Sequence, residues 1–103
     1  MAPLRISRAA ERDRDDIWLH IAQRYGSETV ADGVIGSILG LFPLFAKHPR
    51  AGKRRDEFPG GVRSFAVEKY VIYYQLRSRG TVVILRVLHG MRDPRTLWQR
   101  GEE

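Results

Sequence analysis

Residues 70–88 read YVIYYQLRSRGTVVILRVL, and the reading of this stretch decides the fold. Tyr70 to Arg77 and Thr81 to Leu88 are rich in β-branched and aromatic residues, which pack well on a pleated surface. Ser78-Arg79-Gly80 lies between them, a short turn with Gly80 available for positive φ. Upstream, VRSFAVE (62–68) alternates, with Val62 and Ser64 on one face and Arg63, Phe65 and Val67 on the other. Only Glu68-Lys69 separates this run from Tyr70, so that connection is a tight hairpin as well. Sequential hairpins make the three strands an antiparallel meander.

The N-terminal half changes period. PLRIS (3–7) alternates Leu4 and Ile6 with Arg5, a short strand. Ser7 then caps a helix whose stripe is Ala10, Ile17, Trp18, Ile21 and Tyr25, ended by Gly26. Ser27 caps a second helix with Glu28 and Asp32 near its start. Its apolar face, Ala31, Val34, Ile35, Ile38, Leu39, Leu41, Phe42 and Phe45, is broad enough to be covered on more than one side. Gly36, Gly40 and Pro43 are wrong for a regular helix interior, so a kink or early end is expected at Pro43. PRAGKRRDEFPGG (49–61) is a loop by composition. The predicted fold is α+β, β-α-α-β-β-β, an antiparallel sheet with a two-helix hairpin on one face. It forms a single domain over 1–103 with a short C-terminal extension, 91–103. The other sheet face must be covered by a partner or tolerate water.

Composition narrows the function. At 103 residues, 43% hydrophobic and 29% charged, the chain is ordinary globular material. Ile38 to Ala46 is the longest apolar run, is interrupted by Gly40 and Pro43, and is too short to span a bilayer, so no membrane role is expected. MAPLRISRAAERD has no apolar core of a signal peptide. The lack of cysteine removes disulfides and thiolate chemistry, and fits a cytoplasmic location. Charge is uneven: residues 1–46 carry a net −1, residues 47–100 a net +9, and Glu102-Glu103 bring the total to +6. The second half is a positive body, suited to nucleic acid or to an acidic protein partner.

The stretch RVLHGMRDPRTLW (86–98) carries the candidate site. Cutting RNA without a metal needs a base for the 2′-hydroxyl, a cation for the phosphate and an acid for the leaving oxygen. The candidate cations are Arg63, Lys69, Arg86 and Arg92, and the candidate acid/base groups are His89 and Tyr74. Asp93 can instead cap a short turn with Pro94 at its first position, bringing Leu97 and Trp98 back onto the sheet. Tryptophan and arginine are also the residue types that dominate binding hot spots. His20 and His48 are too scattered for metal ligation, PGG (59–61) is a turn rather than a phosphate cradle, and no cofactor is expected. Arg50, Lys53, Arg54 and Arg55 form a basic loop: either plain solvated surface or an electrostatic site for DNA or an acidic segment.

Three strings, AAERDRDDIWLHIA (9–22), HPRAGKRRDEFPGGVRSFAVEKYVIYYQL (48–76) and ILRVLHGMRDP (84–94), resemble the ParE branch of the RelE/ParE toxin superfamily, over about residues 4–98. The resemblance implies the toxin half of a type II toxin–antitoxin pair, of the plasmid stabilisation kind, with the fold derived above. RelE-like members cut mRNA on the ribosome; ParE-like members share the fold and poison DNA gyrase. Arg92 stands where a RelE-like enzyme also carries arginine, two positions after the strand-end glycine. Trp98 replaces a proton-shuttling tyrosine, and indole does not titrate. Val71 occupies the place of a middle-strand arginine. The resemblance therefore implies a toxin with no catalytic centre, contacting gyrase through Arg86, His89, Arg92, Asp93, Arg95, Leu97 and Trp98 and meeting nucleic acid only indirectly. Its implied partner is a ParD-like ribbon-helix-helix antitoxin. The alternatives are a ribosome-dependent endoribonuclease using His89, Arg92 and Arg63, or an inactive antitoxin-binding member in which Gly36, Gly40 and Pro43 weaken the second helix.

Overall fold

Ser7 joins the first strand to the first helix and holds both to the sheet. The computed structural model, which describes residues 2–95, places β1 at Leu4–Ile6 and α1 at Arg8–Tyr25. The Ser7 hydroxyl accepts the Ala10 N–H at 3.0 Å, capping α1, and donates to the Leu85 carbonyl at 2.8 Å. Gly26 ends α1 at φ +59°, a conformation that costs glycine nothing, and returns its N–H to the Ala22 carbonyl. Ser27 accepts the Val30 N–H at 3.1 Å and starts α2, Glu28–Leu39.

The helix break expected at Pro43 falls earlier. After Leu39 the chain restarts as α3, Phe42–Lys47, with Pro43 in its first turn, where the missing N–H has no partner to lose. Gly36 has nothing within 4 Å of where a Cβ would stand, so it leaves no hole in the core. Glu28–Lys47 is, by length and composition, apolar enough to cross a membrane. Its inner face is occupied here instead, because Ala31, Ile35, Ile38, Phe42 and Phe45 are buried within the domain.

The sheet has the order β1-β5-β4-β3-β2, with β2 at Lys53–Arg54, β3 at Arg63–Val67, β4 at Tyr70–Leu76 and β5 at Val82–His89. The meander β3–β4–β5 is antiparallel, as expected. One pairing departs from the all-antiparallel expectation: β1 runs parallel to β5, Leu4 opposite Val82 and Ile6 opposite Ile84. No hairpin joins these two strands, so the intervening helices are free to bring the chain back in the same direction. A second departure lies in the basic loop, where Lys53 and Arg54 pair with Ser64 and Arg63. A two-residue strand is too short for periodicity to reveal it.

Phe45 stacks on Tyr74 at 4.3 Å and meets Phe65 edge-on, in the core between helices and sheet with Ile38, Phe42, Ile72, Val82, Ile84 and Val87. The opposite face is not left bare. Phe58 and Val62 fold back from the loop onto Tyr73, Val83, Leu85 and Leu88 and make a second buried cluster. The chain thus covers part of the face that was expected to need a partner or water. Tyr73 pairs with Arg86 and Tyr74 with Ile84, which leaves Leu85 as the extra residue of a β-bulge.

Candidate functional site

Beyond Ile84, β5 has outrun β1 and lost its neighbour on that edge. Side chains of α1 and of its cap, Ser7, take over. The Ser7 hydroxyl serves the Leu85 carbonyl, and Asp13 Oδ2 accepts the Val87 N–H at 2.9 Å. The same carboxylate accepts Arg86 Nε and Nη2, both at 2.8 Å, in a bidentate pair. Arg86 is only 8% exposed and Asp13 only 9%. Arg86 was expected to touch the target; burial and this clamp make it an internal residue that shapes the strand end instead.

The residues that follow do reach the surface. His89 is half-buried, edge-on to the Tyr70 ring at 5.7 Å, and its Nδ1 accepts the Met91 N–H at 3.1 Å. Gly90 donates to the Lys69 carbonyl and Arg92 N–H to the His89 carbonyl, so the chain turns sharply off the sheet. Asp93 caps the next turn as expected: its Oδ1 accepts the Arg95 N–H at 3.0 Å and Arg95 Nε at 3.2 Å. These bonds from Arg95 hold the Asp93 carboxyl below its ordinary range. Met91, Arg92, Asp93 and Arg95 are all exposed, Met91 at 87%. Leu97 and Trp98 lie outside the described residues.

A groove of about 340 Å³ opens beside this turn, lined by Asp16, Ile17 and His20 of α1 with Tyr70, His89 and Arg92. A second, of about 320 Å³, runs from Tyr70 and His89 past Lys69 to Met91. Tyr70 lies between them, and burial pushes its phenol up. Asp16, His20, Tyr70 and Met91 were missed in the sequence. Exposed Met91 immediately after a strand-end glycine was the one available signal. No group of three metal-binding side chains occurs among the described residues.

The other candidates divide differently. Arg54 is answered by Asp56 at 3.1 Å. Arg55 is clamped: it bonds Glu57 at 2.8 Å, reaches Ser64 and the Tyr73 hydroxyl, and lies over the Phe58 and Tyr73 rings. The Glu57 bond raises the Arg55 pKa, and the same bond lowers that of Glu57. Arg50 and Lys53 are exposed. Arg63 donates to the Gly52 carbonyl at 2.8 Å. Tyr74, considered above as an acid/base group, is fully buried; its hydroxyl donates to the Pro49 carbonyl and accepts the Gly52 N–H. Burial raises its pKa.

Strand register then separates the ribonuclease candidates. Arg63 pairs with Tyr74 while His89 pairs with Tyr70, on strands that flank β4. Four residues of strand are about 13 Å and two strand spacings about 10 Å, so these side chains do not converge on one phosphate.

With this geometry in hand, the chain matches the family described as "ParE toxin of type II toxin-antitoxin system, parDE" over residues 4–94. Toxin ParE1 of Caulobacter vibrioides is 37% identical, covering 86% of this chain and 90% of that protein. A chain of the chromosomal ParDE toxin–antitoxin system from P. aeruginosa has TM-score 0.74 and 25% identity, covering 86% of this chain and 96% of its own. The RelBE2 toxin–antitoxin complex from Mycobacterium tuberculosis contains a chain with TM-score 0.58 and 25% identity, covering 85% and 96%.

Proposed function

Since this chain belongs to the ParE family of type II toxins, we propose that it acts by docking rather than by catalysis, with DNA gyrase as its target and a ParD-like ribbon-helix-helix antitoxin as its neutralising partner. One observation carries the docking reading: the register separates Arg63 from His89 by two strands and four residues, so Arg63 does not join His89 and Arg92 in their groove to complete a ribonuclease set. Arg86, the cation within the same strand as His89, is held inward by Asp13.

The docking face is then the turn beyond Gly90, with Arg92, Asp93 and Arg95 presented around Met91 and backed by His89 and Tyr70. Arginine, tyrosine and methionine beside small grooves have the composition of an interface centre. The antitoxin would cover a different region, the outer helix surface where Leu19 is 50%, Tyr25 57% and Val30 44% exposed. The encounter would take place in the cytoplasm, where a cysteine-free chain has no redox liability.

Two parallel assays test this reading. The purified protein should block gyrase supercoiling and leave mRNA intact on translating ribosomes. Cleaved mRNA with undisturbed gyrase would replace the docking reading with the endoribonuclease alternative.

A further inference from the structure

Between Asp32 and Asp56 the chain has no carboxylate side chain. That interval ends in the turn Lys47-His48-Pro49-Arg50-Ala51-Gly52-Lys53, which links α3 to β2 at the sheet edge far from β5. Lys47, His48, Arg50 and Lys53 are exposed and no ion pair joins any of them to a described residue, Lys53 lying only within electrostatic reach of the Glu57 carboxylate. The next two cations differ: Arg54 and Arg55 are matched by Asp56 and Glu57.

The turn is also held in place. One buried hydroxyl, that of Tyr74, bonds the Pro49 carbonyl at 2.8 Å and the Gly52 N–H at 2.7 Å. Arg63 bonds the Gly52 carbonyl, and Ala51 N–H closes onto the His48 carbonyl. A Cβ on Gly52 would stand 2.7 Å from the Tyr74 ring, so only glycine allows this approach. Among the described residues the large exposed apolar side chains, Leu4, Leu19, Tyr25, Val30, Leu76 and Met91, all lie elsewhere. A protein partner would therefore find no anchor here, whereas a phosphate backbone needs only fixed cations.

We propose that the Lys47–Lys53 turn is a contact for the phosphate backbone of double-stranded DNA, separate from the Arg92 face. The inference rests on the gyrase reading, in which the target complex itself holds DNA. The Arg92 face would grip the protein component while this turn grips the duplex.

The test is fluorescence anisotropy of the full chain with a labelled DNA duplex, in the absence of gyrase, as salt is raised. Each phosphate contact contributes about 0.9 to the slope of log affinity against log salt. Replacing Lys47, Arg50 and Lys53 together by alanine should flatten that slope by about 2.7, which is roughly a 40-fold smaller loss of affinity over a fourfold rise in salt. Arg54→Ala, whose charge is already matched, should leave the slope nearly unchanged, and circular dichroism establishes that each variant is folded. An unchanged slope in the triple variant would overturn the proposal. So would an equal loss in Arg54→Ala, or competition by poly-glutamate as strong as that by duplex DNA. Because this assay contains no gyrase, its failure is distinct from failure of the gyrase reading, which is scored by the block of gyrase supercoiling.

Discussion

Asp13 and Arg86, 73 residues apart in the chain, meet through two hydrogen bonds of 2.8 Å inside the fold. The same carboxylate takes the Val87 N–H, so one side chain of α1 satisfies both a buried guanidinium and the backbone on the edge that β1 no longer covers. This arrangement fixes where β5 ends and where the exposed turn begins.

Removing the carboxylate charge strands a buried cation. Asp13→Asn should cost about 3–5 kcal/mol in urea unfolding, as breaking one side of a buried pair does. Replacing both partners, Asp13→Leu with Arg86→Met, should cost much less. A single variant as stable as the parent would mean that Arg86 finds water.

Tyr74 holds the basic turn from within the core. Tyr74→Phe leaves the Gly52 N–H and the Pro49 carbonyl without their partner and should lower stability by about 1–3 kcal/mol. Gly52→Ala forces a methyl against the Tyr74 ring and the Ser64 carbonyl and should cost a similar amount, about 1–3 kcal/mol. Thermal melts of both variants check this; a neutral Gly52→Ala would show that the turn shifts freely.

Alkaline pH should unfold the protein through the same tyrosine. Burial raises the pKa of Tyr74 and of Tyr70 in the fold. The unfolded chain therefore ionises first, near the ordinary tyrosine value of about 10. The stabilisation is complete below that pH and is lost as pH rises toward the folded values. Denaturant midpoints measured across that range should fall, and Tyr74→Phe should flatten the fall. A midpoint independent of pH in that range would contradict it.

Acid acts on the exposed turn. Asp93 has a lowered pKa because Arg95 bonds it through its guanidinium and its backbone N–H. Its contribution is present above the ordinary carboxylate value of about 3.9 and disappears as pH falls through the lower folded one. The Arg95 amide proton should shift in NMR spectra over that acidic window while β5 amides stay put. An Arg95 amide that does not titrate would remove Asp93 as the cap.

Much of the fold was legible because its signals are local. Serines 7 and 27 read as caps, Gly26 as a stop, and the β-branched runs as a meander. The pairing of β1 with β5 and the two-residue β2 have no local signature, since each is decided by a segment far along the chain. The site was harder. Asp13 is one of several carboxylates in RDRDD, and nothing nearby marks it as the buried one. Arg86 did carry a clue: a charge inside ILRVL, an otherwise apolar run, has to find a partner. Tyr74 looked like chemistry because its hydroxyl is titratable, while its burial follows only from the stacking of Phe45.

Docking at the turn beyond Gly90 makes separate demands on activity and fold. Arg92→Ala should abolish gyrase poisoning without lowering stability, because the side chain is exposed. The most direct measurement incubates the parent protein and this variant with gyrase, ATP and supercoiled plasmid, then treats the mixture with detergent and protease. The account predicts linear DNA that requires both gyrase and the parent protein and is absent with Arg92→Ala. Folded parent protein that yields no linear DNA, or a variant that yields as much as the parent, would contradict it.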